Sequence, residues 1–179
     1  APVIELEVFA EKWCLLSGKS YKSKLSLRIF KLEKIEFTSQ VQGNLRLATE
    51  DDKQLLKSWY DAFNLEALGS IKSDSESWVE RVLQKQTAFL WENQIPVSIA
   101  CSTRSTPNGI GINMVYTPPE YRKQGYASAC VAGLSQTLLD KGYKFCFLFT
   151  DLSNPTSNKI YQDIGYQPVA DWNNYSFSD

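Results

Sequence analysis

Arg122-Lys123-Gln124-Gly125-Tyr126-Ala127 stands between two segments of opposite character. Before it, Gly109 to Thr117 reads as a short apolar strand, followed by Pro118-Pro119-Glu120-Tyr121. After it, Tyr126 to Lys141 repeats apolar residues at helical spacing, and Gly142 closes the run. A strand, a glycine-containing loop and a long helix therefore follow one another. Backbone N–H groups at a helix start face whatever lies ahead, and with the helix dipole they favour a phosphate. Gly125 lets backbone approach such an anion, and Ala127 keeps the first turn slim. Many ordinary turns also pair glycine with basic residues, so the loop alone does not decide its role.

Downstream, Lys144 to Thr150 is almost wholly apolar, the pattern of a central strand covered on both faces. The segment Asp151-Leu152-Ser153-Asn154-Pro155-Thr156-Ser157-Asn158-Lys159-Ile160-Tyr161-Gln162-Asp163-Ile164-Gly165-Tyr166 follows it. Pro155 suits the first helical position, which makes Asn154 an N-cap. Ile160 and Ile164 form the apolar seam of this helix. Tyr161, two turns in, is either a core aromatic with a satisfied hydroxyl or a functional group. The tail from Tyr166 to Phe177 supplies one or two final strands.

Upstream, Ala88 to Trp91, Ile95 to Thr103 and Gly109 to Thr117 read as an antiparallel meander joined by tight turns. Two helices precede it. One starts at Thr49 with Glu50-Asp51-Asp52 near its positive end and runs to about Leu65, and the other starts at Ser73-Asp74-Ser75-Glu76. Leu45 and Leu47 alternate in a short strand opening at Asn44. Residues 38–43 read as a polar linker. Before them, Leu6, Phe9, Trp13 and Leu16 mark a helix that Gly18 stops. From Ser23 to Ile35, Leu25, Leu27 and Ile29 alternate as in a strand, the preferred reading, while Leu25, Ile29, Leu32 and Ile35 also fit a helix. This divides the chain into an N-terminal appendage, 1–43, and a main domain, 44–179. The chain opens at Ala1, so either a start residue has been removed or the chain is a piece of something longer.

Composition narrows the function classes. Of 179 residues 43% are hydrophobic and 13% aromatic, enough for a substantial core. Net charge is -1, without the basic footprint of a nucleic-acid binder. No apolar run approaches the ~20 residues of a membrane span, and no signal peptide is visible. The four cysteines, Cys14, Cys101, Cys130 and Cys146, lie far apart and there is no histidine. A Cys/His zinc site and any histidine-based catalytic group are thereby excluded. Buried reduced thiols point to a cytoplasmic protein.

Taken in order, the strand, the Arg-x-x-Gly-x-Ala loop, the long helix, the apolar strand and the Asn154-x(6)-Tyr161 helix ending in Gly165-Tyr166 resemble the GNAT superfamily of N-acetyltransferases. The resemblance spans 44–179 and is sharpest from Gly109 to Tyr166. Ile4 to Ile35 resembles the end of an extra N-terminal half found in some larger bacterial relatives. The resemblance implies an α/β (α+β) fold: a mixed, mostly antiparallel central sheet with two splayed central strands, flanked by helices. It implies acetyl-CoA as co-substrate, filling the splay, with no metal. The pantetheine arm would pair with the backbone of Met114, Val115, Tyr116 and Thr117. The pyrophosphate would rest on Arg122, Lys123, Gln124, Gly125, Tyr126 and Ala127, with Arg122 also reaching phosphate oxygens. Asn154 would bond the pantetheine arm, and Tyr161 would face the thioester sulfur.

The expected reaction is acetyl transfer to a primary amine of a small molecule, amino acid or peptide, by direct attack in a ternary complex. A backbone N–H of Met114 or Val115 would polarise the thioester carbonyl, and Tyr161 would give a proton to the departing thiolate. Some relatives carry a glutamate on the strand before the loop. Here that strand reads Ile112-Asn113-Met114-Val115, with no acid, which leaves water, or the outlying Glu66 and Glu92, to take the proton. Two other readings stand beside this one: a non-catalytic acyl-CoA-binding module, and a transferase for longer acyl groups. Partners are an acyl-CoA and an amine acceptor, with no nucleic acid and no membrane. The N-terminal segment could seal a homodimer or pack on its own domain.

Overall fold

The computed structural model describes residues 3–36, 40–71 and 73–178, with backbone only for Lys24 and Leu68. Its elements are α1 (Val3–Ser17), β1 (Ser20–Leu32), β2 (Asn44–Leu47), α2 (Lys53–Leu68), α3 (Ser75–Gln84), β3 (Ala88–Asn93), β4 (Ile95–Thr103), β5 (Gly109–Tyr116), α4 (Tyr126–Asp140), β6 (Phe145–Asp151), α5 (Pro155–Ile164) and β7 (Gln167–Ser178). The apolar spacings in the sequence become these elements with small shifts at their ends. Thr38 and Ser39 of the expected linker lie outside the described residues.

One seven-stranded sheet in the order β2-β3-β4-β5-β6-β1-β7 joins all the strands. Every pairing is antiparallel except β5 with β6, which run parallel. That parallel contact covers only Gly109 to Gly111 against Phe145 to Phe147. Beyond it the strands part.

β1, from the segment set apart in the sequence as an appendage, lies between β6 and β7. It pairs with β6 from Leu27 to Leu32 and with β7 along nearly its whole length. Arg28 reinforces the second seam through Nε and Nη2 to the Asp171 carboxylate, at 2.8 and 3.0 Å. Phe30 and Leu32 enter the main core with less than 2% of their surface exposed.

Two cores sandwich the sheet. On one face, Phe30, Phe89, Ile110, Ile112, Cys146 and Leu148 meet α4 and α5. On the other, Leu90, Ile99, Cys101, Met114 and Tyr116 meet α2 and α3. Phe89 and Leu90 separate onto opposite faces, as the period of two in a strand requires. Ile112 and Met114 are two apart and should share a face, yet they belong to opposite cores. An extra residue in β5 accounts for this: Cys101 pairs with Asn113 but Ile99 pairs with Tyr116, and Met114 has a left-handed φ of +50°.

The expectation that β6 is covered on both faces is corrected. Cys146, Leu148 and Thr150 are buried, but Phe145 and Phe147 are half-buried and Phe149 is exposed. The reason is coverage: α4 and α5 lie over one side, while α2 and α3 sit over β3 to β5 on the other. The bare phenylalanines shield one another instead, with successive ring centroids 6.4 and 6.5 Å apart.

At the opposite edge, Asp52 caps the first helical turn by accepting from the Thr49 N–H at 2.8 Å. It also accepts from Arg46 Nη1 and Nη2 at 2.8 and 2.9 Å. The hydrogen bonds from Arg46 hold the Asp52 carboxyl below its ordinary range, against the opposing effect of burial.

Two stability predictions follow from this packing. Phe30→Ala should lower unfolding stability by about 3–5 kcal/mol, read by urea denaturation. A loss below about 1 kcal/mol would show β1 to be dispensable. Asp52→Asn should lose about 1–3 kcal/mol at neutral pH. Because the folded pKa is depressed, this contribution is full above the unfolded carboxylate range and disappears as pH falls through the folded value. Wild type and variant should therefore converge as pH falls below the ordinary carboxylate range; a gap that stays constant through acid unfolding would contradict the assignment.

Candidate active site

The site begins where β5 and β6 part. Past Gly111 and Phe147 no ladder joins them, so Ile112 to Tyr116 forms one lip and Leu148 to Asp151 the other. The bulge at Met114 turns the β5 lip and frees one residue of backbone from β4. Ser98 Oγ donates to the Tyr116 carbonyl at 3.2 Å and lies 2.9 Å from Thr117 Oγ1, fixing the end of this lip.

The basic loop lies directly beyond. A short 3₁₀ turn at Pro119–Tyr121 leads to Arg122, and Gly125 stands as N-cap of α4. Lys123 and Gly125 both have left-handed φ, +60° and +83°. A side chain on Gly125 would be strained, and its Cβ would meet Val41 Cγ2 at 2.8 Å. The first helical bond runs from the Ala129 N–H to the Gly125 carbonyl. The amides of Tyr126, Ala127 and Ser128 therefore lie ahead of the helical ladder, at the positive end of a 15-residue helix. Tyr126 is oriented by Asn93, whose Nδ2 donates to its hydroxyl at 3.0 Å.

Arg122, expected at phosphate oxygens, has other partners in this structure. Its Nε donates to the Thr117 carbonyl at 2.8 Å, and its Nη2 lies 2.8 Å from both Glu66 oxygens. The guanidinium also covers the Tyr116 ring. Glu66 and Glu92, the two outlying acids considered as bases, are thus both ion-paired, Glu66 with Arg122 and Glu92 with Arg46.

The other lip leads into α5. Asn154 is its N-cap, and Oδ1 accepts from the Ser157 N–H at 3.0 Å. Asn158, one turn on, was not singled out in the sequence. Its Nδ2 donates to the carbonyls of Asp151, Leu152 and Asn154, tying the end of β6 to α5, and its Oδ1 is buried without a partner among the described residues. Its only sequence signal is a second asparagine at helical spacing from the cap. Tyr161 lies on the buried face of α5 against Phe30 and Tyr166. Only 8% of it is exposed, and no described residue bonds its hydroxyl. Burial pushes its pKa up to about 12, so it keeps its proton throughout the neutral range.

The thiols take no part in this arrangement. All four cysteines are free, and burial pushes Cys130 and Cys146 up to about 12. Among the described residues no group of three or more Cys, Asp or Glu could hold a metal, and no helix is long and apolar enough to cross a membrane.

Residues 96–176 match the family model described as FR47-like protein. No curated protein matches the chain. Among solved structures, an acetyltransferase of the GNAT family from Colwellia psychrerythraea superposes with a TM-score of 0.70 at 13% identity, over 99% of this chain and 63% of its own. A GCN5-related N-acetyltransferase from Sphaerobacter thermophilus gives 0.71 at 13% identity, over 97% of this chain and 55% of its own. The chain thus spans less than two thirds of the length of either structure. AAC(6')-Iy, in complex with a bisubstrate analogue, CoA-S-monomethyl-acetylneamine, gives 0.59 at 14% identity, over 70% of this chain and 91% of its own. The parted β5 and β6 and the glycine-capped helix behind them thus give this chain the fold of these acetyltransferase structures, and its residues 96–176 match the FR47-like family model.

Proposed function

We propose that this chain is an acetyl-CoA-dependent N-acetyltransferase acting on a primary amine. One observation carries the reading: an opening between two strands ends at a helix N-terminus whose amides have no helical partner. An elongated thioester with a diphosphate fits that shape and polarity. In this reading the pantetheine arm lies in the opening and completes the β5 ladder along Met114 to Thr117. The diphosphate rests on the loop from Arg122 to Ala127. Asn154, whose Oδ1 is spent on capping, offers its Nδ2 to the arm. The bound bisubstrate analogue of AAC(6')-Iy supports a CoA-type ligand for this fold.

The chemistry is then short. A neutral amine attacks the thioester carbon; the C–N bond forms and the C–S bond breaks. An N–H at the Met114 bulge, freed from the β4 ladder, steadies the developing oxyanion. Tyr161, protonated and without a partner among the described residues, gives its proton to the sulfur. The proton lost by the amine passes to water, and water returns a proton to the Tyr161 phenolate, since the outlying acids Glu66 and Glu92 are ion-paired.

Calorimetric titration with acetyl-CoA tests the binding half. Wild type should bind near the micromolar range, about 8 kcal/mol. Ala127→Glu should weaken binding by about tenfold or more, because the carboxylate repels the diphosphate while suiting the helix start and preserving the fold. Equal affinities would remove the loop from the site. For the chemical half, Tyr161→Phe should lower kcat by about a hundredfold with acetyl-CoA affinity unchanged. Undiminished turnover would exclude Tyr161 as the acid, and absent turnover in a wild type that binds acetyl-CoA would favour a binding module.

A further inference from the structure

A separate concavity runs from the α2/α3 face of the sheet to the end of α4, with a volume of about 830 Å³. Tyr60, Phe63 and Trp78 form its aromatic wall. Asn113 and Met114 line it too, so it reaches the bulge that the proposed reaction uses.

Its charge is one-sided. Arg81, Lys85, Arg104 and Lys141 line it, and no Asp or Glu does. The chain as a whole is balanced, with 19 basic and 20 acidic residues. Elsewhere all the other arginines are matched, Arg28 with Asp171, Arg46 with Asp52 and Glu92, and Arg122 with Glu66, as are some of the lysines, among them Lys57 with Glu76. None of the four around the cavity forms an ion pair among the described residues.

Two of the four are nevertheless held in place. Arg104 follows β4 with a left-handed φ of +48° and lies over the Phe149 ring, 5.7 Å from its centroid. Lys141 caps the end of α4 and lies 5.9 Å from the Phe89 centroid. All four heads are exposed at the rim, so each alone contributes little. Their fields add over a concave, partly apolar surface and raise the local concentration of anions. The same arrangement disfavours a polycationic acceptor through like-charge repulsion.

We propose that the cavity takes a carboxylate-bearing amine, an acidic amino acid or the amino end of a short acidic peptide. Its amine points to the Met114 bulge and its carboxylates lie among Arg81, Lys85 and Arg104. The role of the amine rests on the acyl-transfer reading; the preference for carboxylates does not. The aromatic wall holds the ligand by its stem, and the cations select it by its charge.

Calorimetry on the whole chain with tri-glutamate, tri-glutamine and free glutamate tests this. Tri-glutamate should bind about tenfold more tightly than tri-glutamine, and added salt should narrow the difference. The double variant Arg81→Gln/Arg104→Gln should abolish the preference and leave acetyl-CoA affinity as it was. Free glutamate matching tri-glutamate would identify an amino-acid site, and much weaker binding of glutamate a peptide site. Equal affinity for the two peptides, binding of neither, or a preference that survives the double variant would overturn the proposal. An acetyl-CoA titration of the same sample separates the two claims. Failure there with the tri-glutamate preference intact removes acyl transfer alone, and the reverse pattern removes the anion cavity alone.

Discussion

The open seam between β5 and β6 depends on how β6 is held from its other side. Only three register pairs join it to β5, whereas β1 pairs with it from Leu32 and Cys146 to Leu27 and Asp151. Backbone polar groups that leave a ladder must find water or a ligand, and two neighbouring strands with free edges would ordinarily close on each other. β1 prevents this by fixing β6 to β7, while the bulge at Met114 bends β5 the other way. The two lips, the helix start beyond one and the asparagine cap beyond the other all take their positions from that pair of constraints.

The bulge also joins the two faces of the molecule. It moves Met114 into the core under α2 and α3 while Ile112 stays with α4. The same few residues therefore border the strand opening and the basic cavity. Arg122 and Glu66 make a second connection, because they tie the loop before α4 to the end of α2. Charge at the loop and position of the α2 helix are linked through one guanidinium.

Local signals were legible in the sequence. Asn154 before Pro155 reads as a cap because its side chain and the proline's fixed φ act within one turn, and Gly125 reads as a tight start because only glycine enters a left-handed conformation freely. The alternating strands and helical stripes were legible for the same reason. What stayed hidden depends on partners far away in the chain. Ile112-Asn113-Met114-Val115 looks like an uninterrupted strand, and its extra residue exists only relative to β4. Phe145, Phe147 and Phe149 look like a buried run because hydrophobicity does not say which side a helix will cover. Glu66 reads as a solvated carboxylate until Arg122 is seen beside it. The place of β1 was invisible too, since a strand signal names no neighbours.

The place of β1 bears on how the chain reaches its native state. β1 is made well before both of the strands that flank it, with more than a hundred residues between it and β6. Until then it has two unpaired edges and two large apolar side chains, Phe30 and Leu32, with nowhere to go. Contacts between such distant segments carry the loop-closure entropy that slows folding, and waiting edges are where chains aggregate. The strand that keeps the seam open is thus also one whose pairing waits on segments made much later.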